Sequence, residues 1–252
     1  TMFFFFFFAR SEDSRVFLLF SLLTLHHHAA SSSVSATNEP FRYDLINTGR
    51  EVLAQLAGPF GQNFTKISAT TNATGQELQS VGDAYATLLD DIDELVATDQ
   101  AFLLGPWLES AKSFATEYGV EDCGDTGYET ITTCSKFYEW NARVQLTTWN
   151  PTPKSAVSIP SGPIDYASKH WSGLIKDYYA ERVRRLTKLY VVQANAGKPI
   201  PSAAATDLLK AELAYEWTTA TNEYPTTVVG DAVGMSKTMH DKYGVWFGSC
   251  GL

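Results

Sequence analysis

The groups in this 252-residue sequence that could do chemistry are a run of acids, two pairs of opposite charges and two isolated histidines. Asp90, Asp91, Asp93 and Glu94 could together chelate a hard cation, but the glycine-turn loop of an EF-hand is missing. The run reads instead as a solvated helix face. Glu139 lies four residues before Arg143. That spacing suits a helix-surface pair worth a few tenths of a kcal/mol, or a partly buried brace for the segment that follows. Asp165 and Lys169 share the spacing and read as a surface pair. His170 and His240 fall in helical stretches and read as surface or packing residues, and His26–His28 form a triplet too short for a metal site. There is no G-x-S-x-G elbow, P-loop, H-E-x-x-H or dinucleotide fingerprint. No catalytic residue is therefore assigned, and neither a metal nor a cofactor is expected.

Cys123 and Cys134 flank a loop-like stretch. In an oxidising compartment they could close a disulfide loop worth roughly 2–3 kcal/mol, whereas in the cytosol they would be two thiols. Cys250 has no evident partner. Two N-glycosylation sequons begin at Asn63 and Asn72, both in what reads as one polar connection. The formal net charge of −9 argues against a nucleic-acid partner, since phosphate neutralisation needs clustered Lys and Arg.

These groups must be positioned by helices, because apolar residues recur at steps of three and four and sustained alternation is missing. Leu45, Val52, Leu56 and Phe60 mark a first helix. Thr74 and Glu77 form a candidate capping box ahead of the stripe Leu78, Val81, Tyr85, Leu88, Ile92 and Leu95. Leu104, Trp107, Leu108 and Phe114 give a third helix, with Trp107 and Trp171 expected in the core. A fourth runs from about Cys134 to Thr147. A proline-rich connection then leads to a long helix that Pro163 could open and that reaches towards Asn195, with Tyr166 and Tyr178 as packing positions. Two more helices carry Leu213 and Trp217, and Met235 and Met239. The expected architecture is all-α, a bundle of six to eight helices with mostly antiparallel neighbours. Residues 1–40 read as a leader, either a secretory signal built on the apolar run Val16–Leu25 or a non-native segment. Residues 41–252 form the helical domain, and a secretory, extracellular or lysosomal/vacuolar setting is expected.

The densest segment runs Phe-Tyr-Glu-Trp-Asn-Ala-Arg-Val-Gln-Leu-Thr-Thr-Trp-Asn-Pro from Phe137, followed by Ile-Asp-Tyr-Ala-Ser-Lys-His-Trp-Ser-Gly-Leu-Ile-Lys-Asp-Tyr-Tyr from Ile164. With Phe41-Arg42-Tyr43-Asp44-Leu45, Phe102–Glu109, Tyr224-Pro225 and Gly230-Asp231 in the same order, it resembles the C-terminal helical domain of the α-N-acetylglucosaminidase family. The chain departs from the pattern in the Cys123–Cys134 stretch, in a long proline-rich loop, and in Val183 where the family often has tryptophan.

The resemblance implies a retaining exo-glycosidase acting on terminal N-acetylglucosamine of a glycan. Its two catalytic carboxylates, about 5–5.5 Å apart in such enzymes, belong to a barrel domain that precedes the helical one. The partners implied are that barrel and the terminal sugar. Trp149 would either face the substrate, with Asn150 as a polar neighbour, or pack between the domains, with Glu139 and Arg143 as support. By itself the chain is expected to be inactive. The alternatives are a stand-alone helical module binding glycans or a protein, and a self-sufficient hydrolase. Oligomeric state is left open.

Overall fold

A computed structural model describes residues 38–124, 129, 131–149 and 165–246. Among them the chain forms seven α-helices and no strand. They are α1 Glu39–Ser68, α2 Gly75–Val96, α3 Leu104–Glu117, α4 Cys134–Leu146, α5 Glu181–Asn195, α6 Ala203–Thr219 and α7 Ala232–Tyr243. A π-helical stretch, Ile175–Ala180, leads directly into α5.

Helix starts follow local chemistry. Asn38 caps α1 by accepting the Phe41 N–H, so the helix begins two residues ahead of the border expected at Phe41. Thr74 and Glu77 form the predicted capping box, each side chain accepting the other's backbone N–H. Thr133, Ser202 and Asp231 cap α4, α6 and α7 in the same way.

The core is a continuous apolar cluster. It includes Leu53 and Ala57 of α1, Leu88, Ile92 and Leu95 of α2, Leu104 and Leu108 of α3, Tyr178 and Val183 of the π–α5 helix, and Trp217 of α6. α2 sits at its centre, packed against α1, α5 and α7. Gly82 lets α2 and α5 approach closely, because a Cβ there would lie 2.1 Å from Thr187 Oγ1.

Several expectations are corrected. α1 continues to Ser68, so Asn63 lies exposed on a helix, and only Asn72 lies in the connecting turn. Trp107 is 40% exposed and Tyr166 70% exposed, so neither is core. The long helix starts at Leu174, not near Pro163: Asp165–Ser168 form a turn with two left-handed residues, which cannot continue a helix. Pro163, Cys250 and residues 1–37 of the leader lie outside the described residues. No described helix is long and apolar enough to cross a membrane.

Candidate functional site

Antiparallel packing gathers one set of helix ends: the starts of α1, α3, α7 and the π–α5 helix, and the ends of α2, α4 and α6. Of the polar groups singled out in the sequence, Asp93, Glu139, Arg143, Asp165 and His170 lie here.

Asp93 is the first. Its Oδ1 accepts the backbone N–H groups of Gly173 and Lys176 at 2.7 and 3.0 Å, and its Oδ2 accepts the Ser172 hydroxyl at 3.1 Å. A helix start leaves its first N–H groups without intrahelical partners. Asp93 satisfies those of the π–α5 helix from a neighbouring helix. Gly173 turns the chain there at φ 92°, with the Tyr224 ring where a side chain would be. Burial pushes the Asp93 carboxyl up to about 6. The acidic run is therefore not a solvated face. Asp90 pairs with Arg184, and Asp91 accepts from Lys242 and the Tyr243 hydroxyl, which leaves only Glu94 exposed. Periodicity carried the signal: Asp93 is four residues after Leu89 and three before Val96, both buried.

Asp165 is the second. Its partner is Arg182, which donates to both carboxylate oxygens at 2.7 and 3.0 Å, and not Lys169. The guanidinium carbon lies 4.6 Å from the Tyr178 ring centroid and 5.5 Å from that of Tyr179. The π-helical stretch turns both rings inward, where they are buried. Burial opposes the Arg182 charge, but the Asp165 carboxylate outweighs it and holds the group protonated. Burial likewise lifts the Tyr178 phenol to about 12.

Arg143 is the third and is fully buried. Its guanidinium donates to Glu139 at 2.7 and 3.0 Å, to the Trp217 carbonyl at 3.3 Å and to the Asn222 carbonyl at 2.9 Å, between the rings of Trp217 and Tyr224. This satisfies one carbonyl in the last turn of α6 and one in the segment after it, and excludes the surface-pair reading. Asp177 extends the network by accepting from Asn222 and Tyr224. On the α1 side, Arg50 contacts His170 Nδ1 at 2.7 Å. Burial, with the Arg50 charge, drives that imidazole down to about 4, so His170 is neutral at pH 7.

Trp149 stands on these supports. It follows α4, its N–H donates to the Val144 carbonyl at 2.9 Å, and Thr147 and Thr148 before it are fully buried. The Asp165 N–H donates to the Thr147 carbonyl at 2.6 Å, which ties the Arg182–Asp165 pair to the same knuckle. Trp149 is 50% exposed and meets the exposed Tyr166 ring edge to face at 5.8 Å. Among the described residues, the non-glycine residues at positive φ are Trp149, Asp165 and Ser168, at 55°, 56° and 46°. Such conformations cost about 1–3 kcal/mol each and persist where the surroundings over-determine them. The structure thus brings Trp149, Tyr166, Asp165 and Arg182 together, while Arg143 and Glu139 brace the adjacent α4–α6 contact. Asn150 lies outside the described residues. Cys123 and Cys134 are joined by a disulfide with Cα atoms 5.3 Å apart, at the opposite end of α4. Among the described residues no cluster of three or more His, Cys, Asp or Glu could hold a metal. Arg182, Tyr166 and Tyr224 were not singled out for this site by sequence, because their partners are distant in the chain.

Residues 19–242 match the family model of the alpha-N-acetylglucosaminidase C-terminal domain. Human alpha-N-acetylglucosaminidase is 29% identical over 208 residues, which cover 82% of this chain and 25% of the human protein. The chain therefore spans about a quarter of the length of that curated relative. Two solved structures share the fold. A family 89 glycoside hydrolase from Clostridium perfringens in complex with PUGNAc has a TM-score of 0.67 and 18% identity, over 91% of this chain and 24% of that one. A substituted Clostridium perfringens protein in complex with its substrate GlcNAc-alpha-1,4-galactose has a TM-score of 0.60 and 23% identity, over 80% of this chain and 21% of that one.

Proposed function

Because this chain belongs to the alpha-N-acetylglucosaminidase C-terminal domain family, we propose that it serves a retaining glycoside hydrolase acting on terminal α-linked N-acetylglucosamine. In this reading it packs against a catalytic barrel and lends Trp149 to the sugar cleft. The carboxylate pair that breaks the glycosidic bond belongs to the barrel, since that chemistry needs two acids about 5–5.5 Å apart on opposite sides of the sugar. Among the described residues the buried acids already have other partners: Asp93 caps a helix, Asp99 accepts from Arg42 and the Ala101 N–H, Asp165 holds Arg182 and Glu139 holds Arg143.

One observation carries the reading. Trp149 is presented half-exposed in a strained backbone conformation, on a knuckle that a buried ion pair holds from behind. An indole face suits the apolar C–H face of a pyranose, and a pre-positioned ring pays little ordering entropy on contact. Asn150 is its polar neighbour in this reading.

Joined to a catalytic barrel, the Trp149→Ala variant should lose roughly tenfold in kcat/KM, equivalent to about 1.4 kcal/mol, with an unchanged melting temperature. Incubating the purified chain alone with a chromogenic α-N-acetylglucosaminide tests the division of labour. Steady turnover with no other polypeptide present would overturn it.

We also place the chain in the secretory pathway, in an extracellular, lysosomal or vacuolar setting. The Cys123–Cys134 disulfide and the exposed positions of Asn63 and Asn72 support this. A mass loss on enzymatic deglycosylation of secreted material checks the two sequons.

A further inference from the structure

The outer face of the α3–α4 pair carries an apolar groove of about 290 Å³ that the Trp149 knuckle does not use. Two stripes of identical spacing face each other across it: Trp107, Ser110 and Phe114 on α3, and Tyr138, Asn141 and Gln145 on α4. Steps of three and four keep each stripe on one helix face, and the helices run antiparallel. Phe114 therefore meets Tyr138 at 4.9 Å, while the Trp107 indole N–H reaches the Ala142 carbonyl at 3.4 Å. Ala111 and Ala142 are small enough to leave space between the stripes.

We propose that this groove binds a neutral oligosaccharide. Three features point to that class of ligand. Trp107 and Phe114 are about two-fifths exposed, which leaves apolar ring surface for sugar C–H groups. Ser110, Asn141 and Gln145 are exposed among those rings, and the two amides donate no hydrogen bond to any described residue. They offer paired donors and acceptors suited to hydroxyl and acetamido groups. No charged side chain lines the groove, so an anionic ligand would find no counter-charge. The volume approaches the lower end of ligand sites, which combine an apolar lining with a few placed polar groups. The groove uses residues other than Trp149 and stands independently of the role given to it.

The test is an NMR titration of the ¹⁵N-labelled chain with chitotriose and, separately, maltotriose, to roughly 10 mM. A dissociation constant of 1 mM corresponds to about 4 kcal/mol, so weak sites fall within range. The Trp107 indole signal and the side-chain amides of Asn141 and Gln145 should shift together with at least one sugar. Asn141→Ala, at an exposed position, should weaken binding roughly fivefold by removing its hydrogen bonds. Trp149→Ala should leave the affinity within about twofold, the level expected of a residue outside the contact. The inference is overturned if neither sugar moves the groove signals, if shifts are confined to Trp149 and Tyr166, or if the signals broaden with protein concentration and sugar does not reverse it. The last outcome would mean that a second copy covers the face.

Discussion

The two ends of the helical bundle are built by different means. At the end that holds the α1–α2 and α5–α6 turns, the ordering contacts are local. Thr74 exchanges bonds with Glu77, and Ser202 caps Ala205, each three residues apart. At the Trp149 end, Asp93 reaches Gly173 across 80 residues, Arg143 reaches Asn222 across 79, and Arg50 reaches His170 across 120. The first end needs only a short stretch of chain to form. The second forms only when distant segments have already packed, because the entropy of closing long loops precedes the gain. Strain follows the same division. The three left-handed non-glycine residues cluster at the Trp149 end, whereas the turn after α5 uses Gly197 at φ 62°. A site held by long-range contacts can keep an aromatic ring in an unfavourable conformation that a local turn would relax.

The sharpest way to break this comparison is to cut the long-range end at the ion pair behind Trp149. Arg182→Met should destabilise the chain by about 3–5 kcal/mol in urea unfolding, because it strands the Asp165 carboxylate. Lys237→Ala, which cuts the exposed Asp241 pair, should stay within about 0.5 kcal/mol. Similar costs for the two would erase the distinction.

Acidity provides the next largest effect. The Asp93 carboxyl titrates at about 6 in the folded chain, against an ordinary value near 3.9. The folded chain thus holds this proton more tightly than the unfolded one. The resulting stabilisation is complete below about pH 4 and is lost as pH rises through 6. Relative to Asp93→Asn, the parent should gain up to about 3 kcal/mol as the pH falls from 7 to 4. His170 opposes this. Its folded value of about 4 lies below the ordinary one, so its contribution is complete above about pH 6.5 and is lost as pH falls towards 4. His170→Gln should remove that loss. Chemical denaturation at four pH values reads both slopes, and parallel curves for parent and variants would refute the assignment.

Packing comes third. Gly82→Ala drives a methyl group onto Thr187 and should cost about 1–3 kcal/mol. Gly58→Ala, where nothing beyond the neighbouring residues lies within 4 Å of the new carbon, should stay within about 1 kcal/mol, since the gain in helix propensity is offset by the Pro59 ring that follows. Thermal melts of the pair measure the contrast. At the local end, Thr74→Ala removes half of the capping box and should cost about 1 kcal/mol. A loss as large as that from Arg182→Met would contradict the division of labour. A change of similar size but opposite sign is expected at Trp149. Replacing it with glycine relieves the left-handed strain and should raise stability by about 1 kcal/mol, at the expense of the ring proposed to meet the sugar.

What could be read in the chain alone was whatever obeys a short period. Helix spacing, the Thr74–Glu77 capping box and the aromatic density around Trp149 are properties of neighbouring residues, so the all-α class and the family resemblance followed from them. The partners of the charged groups did not. The spacing of Asp165 and Lys169 suggested a helix-surface pair, but the turn at Asp165 turns the carboxylate to Arg182. The i,i+4 pair of Glu139 and Arg143 does form, yet sequence could not tell that α6 and Tyr224 bury it. The acidic run looked solvated because charge alone favours water, while Asp93 found three donors waiting at a helix start 80 residues away. Local periodicity determines which face of a helix is apolar. Which charges end up inside depends on where other helices place their unsatisfied groups, and only the packed chain decides that.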